Sequence, residues 1–111
     1  MEDKELLELA AKAAGITGSW HRSGYVAYSG WSDSIFDPLN DDGDAFRLAV
    51  ELRIDVSHDE VGMKSFVYAR TVFNDETHIG LSEIFDDESE RLYRTRRAIT
   101  RAAAQIGKEM E

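Results

Sequence analysis

The only proline of the chain, Pro38, stands just ahead of an acidic turn and an apolar run with helical spacing. The residue before a proline is pushed out of the helical region, so the chain must approach this turn extended. Asp41 or Asp42 can then cap a helix by accepting hydrogen bonds from its first free amides. Asp44 adds negative charge at the positive end of the helix dipole. Ala45, Leu48, Ala49 and Leu52 share one face, Phe46 and Val50 widen it, and Arg47 and Glu51 form a polar edge four residues apart. The spacing predicts a helix over 42–52 that is covered on more than one side.

Asn40-Asp41-Asp42-Gly43-Asp44 also has the look of a calcium loop. Such a loop needs oxygen ligands at positions 1, 3, 5 and 12 and a glycine at position 6. With Gly43 at position 6, Pro38 and Ala49 fall at positions 1 and 12, and neither side chain can ligate. The helix-cap reading is therefore preferred.

A chain of 111 residues is expected to be a single domain, 1–111, with enough core to fold without staples. It has no cysteine, which excludes disulfides and thiolate metal sites and suits a reducing cytosol. The start, Met1-Glu-Asp-Lys-Glu, is acidic and is not expected to be a signal peptide. No apolar run approaches the ~20 residues of a membrane span, so no membrane partner is expected. Charge is unevenly spread. Residues 1–90 carry 7 Lys or Arg against 20 Asp or Glu, a balance of −13, whereas residues 91–111 carry 6 against 2, a balance of +4. The acidic body opposes non-specific binding to nucleic acid.

Lys4–Ala14 reads as a helix with Leu6, Leu9, Ala10 and Ala13 on one face and Gly15 after its C-cap. Ile16–Ser19 reads as a connection. Tyr25–Tyr28 is the best strand in the broken β region that follows, with Ile35-Phe36 as a second short piece. Trp20, Tyr25, Tyr28 and Trp31 form an aromatic group, read as core rather than as a stacking platform. Residues 53–57 and 65–73 alternate as two strands joined in a hairpin through a turn at Asp59–Lys64. Apolar residues on both faces of 65–73 mark it as the central strand. Asn74–Asp87 reads as loop, anchored by Ile79, Leu81, Ile84 and Phe85. Residues 88–108 form the last helix, with a capping box at Asp87 and Glu90 and an apolar face of Leu92, Ile99, Ala102, Ala103, Ile106 and Met110. The fold class expected is α+β, a small, mainly antiparallel sheet packed with three helices, about 4–14, 42–52 and 88–108.

No convergent chemistry is apparent. His21, His58 and His78 share no ligand spacing, no Gly-x-Ser-x-Gly elbow is present, and the glycines do not gather into a phosphate loop. No enzyme activity, no metal and no cofactor are expected. The sharpest feature is a basic stripe. Arg94, Arg97, Arg101 and Lys108 fall within about 60° of one another on a helix, opposite its apolar face, and are expected to be exposed. Such a row can offer forked donors to phosphates or carboxylates, or it can be a solvated face balancing the acidic body.

Three segments, Lys4–Ile16 (KELLELAAKAAGI), Phe36–Leu52 (FDPLNDDGDAFRLAVEL) and Thr95–Gly107 (TRRAITRAAAQIG), resemble a set of short proteins encoded by phages and prophages. The order of elements is more distantly similar to the phage α-β-α sandwich domain. Phe36-Asp37 stands where that pattern has Trp-Asn. The resemblance implies no catalytic residue. It implies a phage-encoded accessory protein in the host cytoplasm, acting on a host or phage protein, and the acidic body suits inhibition of a host defence system. Asp41, Asp42 and Asp44 are the candidate contacts for that role. Arg94, Arg97, Arg101 and Lys108 are the candidates for the alternative, a module binding nucleic acid or acidic ligands. Duplex DNA is not an expected partner, and a second copy of the chain is a possible one.

Overall fold

The last helix is the hub of the molecule, and its sequence shows why. Ala98, Ala102, Ala103, Ala104 and Gly107 are small and buried, so neighbours can approach from several sides. The structure, a computed structural model, describes residues 2–110. Its element order is α1 (Asp3–Ala13), β1 (Thr17–His21), β2 (Gly24–Ser29), α2 (Asp42–Glu51), β3 (Asp55–Val61), β4 (Lys64–Phe73), β5 (Thr77–Phe85), a 3-10 turn (Glu88–Glu90) and α3 (Arg91–Glu109). The fold is α+β, with three helices and two antiparallel sheets, β1-β2 and β3-β4-β5.

α3 packs against α1, α2, β4 and β5. Its approach to α1 is very close, since a Cβ on Gly107 would lie 2.1 Å from the Leu9 carbonyl oxygen. Gly107, a poor helix former, is thus the residue that lets the two backbones meet. α1 buries Leu6, Leu7, Ala10 and Ala11 rather than the expected set with Leu9 and Ala13. A second neighbour also meets this helix. Trp20 of β1 donates from its indole N–H to Glu8 at 3.0 Å and lies beneath the Lys4 ammonium. Gly15, at φ +73°, closes α1 in the left-handed conformation. Its N–H donates to the Lys12 carbonyl, and that of Ile16 to the Ala11 carbonyl, which is the Schellman pairing.

The connection expected at 16–19 is largely strand, because β1 begins at Thr17 and pairs along β2. Ile35 bridges to Val26, and the Phe36 N–H donates to the Tyr25 carbonyl, so the 34–36 segment runs beside β2. Phe36 is fully buried and takes the rings of Tyr25 and Trp31 edge-on. Trp20, Tyr25 and Trp31 thus belong to the core or its margin, whereas Tyr28 lies on the outer face of the hairpin.

The first strand of the larger sheet runs from Asp55 to Val61, so the turn expected at 59–64 shrinks to Gly62-Met63. The loop expected at 74–87 is mostly strand β5. Its Ile79, Glu83 and Phe85 are buried and Leu81 is partly so, while His78, Gly80, Ser82 and Ile84 alternate to the outside. The polar outer set masks the apolar inner one in sequence. β4 is central, as expected. Only its inner face, with Val67, Ala69 and Thr71, is covered; Tyr68 and Val72 on the other face are exposed.

The entry to α3 is a 3-10 turn. The Asp87 carboxylate accepts from the Ser89 N–H at 3.0 Å rather than from Glu90. That backbone hydrogen bond, with a further bond from the Ser89 side chain, holds the Asp87 carboxyl below its ordinary pKa. The hydrogen bond from Arg91 does the same for Glu88.

Two outcomes are expected. Gly107→Ala adds about 1 kcal/mol of helix propensity, but it should lower the urea midpoint, with a net loss of about 1–3 kcal/mol from overpacking against Leu9; a rise in the midpoint would show that the two helices separate freely. The Ser89 amide shift should titrate with a midpoint below the ~3.9 of an ordinary aspartate. A depressed folded-state value stabilises the turn above ~3.9 and loses that contribution as pH falls through it; a midpoint above ~3.9 would rule out the cap.

Candidate interaction site

Three of the four residues of the basic stripe are half-buried against the sheet. Arg94, Arg97 and Arg101 lie on the side of α3 that crosses β5, and there they meet Glu83, a carboxylate only 7% exposed. Arg94 donates to Glu83 at 2.9 Å and also to Glu90. Arg101 donates to the other oxygen of Glu83 and to the Ser82 carbonyl. Arg97 reaches Asp3 of α1 at 2.9 Å and stands 3.9 Å from Glu83. Three guanidiniums thus face three carboxylates and tie α3 to β5 and α1. The hydrogen bond to Glu83 is the main reason that Arg94 sits above its ordinary pKa, and the one to Asp3 does this for Arg97. The expectation of an exposed stripe holds only for Lys108.

Two further arginines of α3 are also engaged. Arg91 pairs with Glu88, donates to His58 at 2.8 Å and lies over the Phe85 ring. Arg96, which the spacing argument left out, donates to the Leu39 carbonyl and to Asp42. It pins the start of α2 to α3.

The acidic candidates are similarly occupied. Asp41 caps α2 by accepting from the Asp44 N–H at 2.8 Å. Asp42 pairs with Arg96. Asp44 is buried; one of its oxygens accepts from the Asp37 N–H and the other from Arg47. Arg47 therefore serves Asp44 and Asp33, not Glu51, and its guanidinium lies against the Trp31 ring. These carboxylates build the turn around Pro38; Asp44 is withdrawn from the surface, while Asp41 and Asp42 stay exposed. The histidines stand apart. His21 joins Ser19 and Tyr28 on the hairpin, His58 meets Arg91, and His78 lies on the outer face of β5.

One open surface is mainly apolar. A groove of about 560 Å³ runs between α2, α3 and the start of β3. Ala45, Ile54 and Ile99 are buried along it. Around it stand Phe46 at 69%, Val50 at 61% and Leu92 at 64% exposure. The expectation that α2 is covered on more than one side fails here, as does the place of Leu92 on the buried face of α3. Helical spacing identified these residues as apolar but could not tell a buried contact from an open one. Arg96 and Asp42 lie at the groove, paired to each other, with Arg53 and Asp55 also in its lining. Arg53 occupies the left-handed position after α2 at φ +55°, where glycine is usual. Among the described residues no helix is long and apolar enough to cross a membrane.

Comparison of the chain with family models, with curated proteins and with solved structures finds no match.

Glu83→Gln leaves guanidiniums around a neutral amide and should cost about 2–3 kcal/mol, toward the lower end of buried-pair losses because the arginines keep some contact with water. Arg101→Gln should cost less, since Arg94 still holds Glu83. Chemical denaturation of both variants checks the order, and equal losses would show that Arg94 does not hold the carboxylate.

Proposed function

We propose that this chain is a small protein-binding module that seats an amphipathic helix of its partner in the groove between α2 and α3. The observation that carries the reading is the triangle of Phe46, Val50 and Leu92. Each is more than half exposed, and they surround one apolar floor. Contiguous exposed apolar surface of this kind marks interaction sites, and a groove between helices suits a helix with apolar anchors at i, i+3, i+4 and i+7. Charge selects the partner. The chain as a whole carries −9, so its long-range field favours a helix with Lys or Arg flanking the apolar stripe over an acidic one, although the groove's own lining balances Asp42 and Asp55 against Arg53 and Arg96.

This reading keeps the expected class, an accessory protein acting through protein–protein contact, and moves the contact from Asp41, Asp42 and Asp44 to the groove. A host or phage protein whose own nucleic-acid surface is basic is the kind of partner that the field would draw. The nucleic-acid alternative has less support, because the arginines of α3 are already engaged by carboxylates and carbonyls.

Fluorescence anisotropy with two synthetic helices tests the reading. Both carry the same leucine stripe, one with lysines and the other with glutamates on its polar face. The lysine helix should bind and the glutamate helix should not. Phe46→Asp should weaken binding at least tenfold, about 1.4 kcal/mol, with an unchanged thermal midpoint because the side chain is exposed. Failure of both helices to bind, or indifference to Phe46→Asp, would overturn it. A dimer of the free protein that Phe46→Asp dissociates would instead make a second copy the occupant.

A further inference from the structure

β1 and β2 pair with one irregularity. Gly18 stands opposite Ala27 and Thr17 opposite Ser29, so Tyr28 is an extra residue with no partner of its own. A bulge of this kind re-aims a side chain. Here it brings the Tyr28 hydroxyl to Ser19 and His21, which share a face of β1 two residues apart. Gly18 permits the close approach of the strands, since a Cβ there would lie 2.2 Å from the Val26 carbonyl oxygen. Gly24 is opposite His21, so no cross-strand side chain crowds the imidazole. The Tyr28 oxygen is 2.7 Å from His21 Nε2 and 2.5 Å from the Ser19 hydroxyl, and Ser19 is 3.2 Å from the same nitrogen. With the imidazole proton on Nδ1, Tyr28 donates to Nε2 and Ser19 donates to the Tyr28 oxygen. The phenol thus has a base on one side. On the other it has a donor that can stabilise negative charge developing on its oxygen. It is also within reach of solvent, because Tyr28 is exposed.

We propose that Tyr28 is a covalent acceptor for activated acyl groups, with His21 as its general base. A nucleophile held against a base, with a third group orienting it, is the arrangement that such chemistry needs, and His21 lies within the reach expected of a general base. The donor is a small carbonyl compound with a good leaving group, such as an aryl ester or an N-acyl azole. The Tyr28 oxygen attacks the carbonyl carbon and forms a C–O bond, while the phenol proton passes to His21 Nε2. The bond from that carbon to the leaving group then breaks, and the imidazolium returns the proton to the departing atom. The products are a phenyl ester on Tyr28 and the protonated leaving group, and no further reactant is consumed. Charge favours a neutral acyl donor over a phosphorylated one, because the chain carries −9 and opposes the approach of anions. The site is open to solvent, so the leaving group rather than a fitted cavity selects the donor. It lies on the hairpin and shares no residue with the groove between α2 and α3.

Treatment of the full chain with N-acetylimidazole, followed by peptide mapping in a mass spectrometer, tests the proposal. Tyr28 should take up the acetyl group at least tenfold faster than Tyr93 of the same molecule, the lower part of the range for general-base assistance because the site is wet. The two differ too little in exposure, 60% against 42%, for access to account for such a ratio. His21→Gln keeps an acceptor for the phenol but takes no proton, and it should bring Tyr28 down to the rate of Tyr93. Ser19→Ala should slow Tyr28 by a smaller factor, since the base remains. The comparison with Tyr93 is internal to the unsubstituted chain and so does not depend on how a variant folds. Equal rates at Tyr28 and Tyr93 would overturn the proposal. So would an unchanged Tyr28 rate in His21→Gln, or an acetyl group carried by Ser19 in place of Tyr28.

Discussion

The contact between Gly107 and the Leu9 carbonyl sets the spacing on which the rest of the molecule depends. Because α1 and α3 meet backbone to backbone, the remaining faces of α3 are free to take the sheet and α2. Small residues continue along the helix, with Ala98, Ala102, Ala103 and Ala104 all buried, so one slender rod serves several neighbours. The gain is dense packing from modest side chains. The cost is that little volume at this seam can change without moving a whole layer.

The second constraint is electrostatic. β5 places Glu83 on the inner face of the sheet, where a lone carboxylate would be strongly unfavourable. Arg94 and Arg101 from α3 offset that, while Arg97 links the same helix to Asp3. These pairs are directional, unlike the apolar contacts beneath them. They fix the rotation of α3 about its own axis and so determine which of its residues look into the groove beside α2. Arg96, reaching Asp42 and the Leu39 carbonyl, fixes α2 from the other side.

The helices were legible because their signals are local. Periodicity, Asp41 as cap and Gly15 as terminator are each readable within a few residues. β5 was harder. Its inner series of Ile79, Leu81, Glu83 and Phe85 is interrupted by a charge, and its outer series of His78, Gly80 and Ser82 resembles a loop. Missing β5 also hid the destination of the arginines. Their spacing on one face was evident, but whether that face meets water or a carboxylate depends on a strand that begins 17 residues before the first of them. The groove was unreadable for a related reason. Phe46, Val50 and Leu92 fit the apolar pattern of their helices, and amphipathic spacing carries no information on how far a neighbouring element extends.

β3 is an edge strand, and it carries Asp55, Asp59 and Glu60 within seven residues. Its outward backbone groups could template another strand, and a row of like charges is a common guard against that. A guard made of charges leaves β3 paired with β4 along its whole length, which a proline or a bulge would not. Charge of this kind works against edge-to-edge pairing without removing a single hydrogen bond from the sheet.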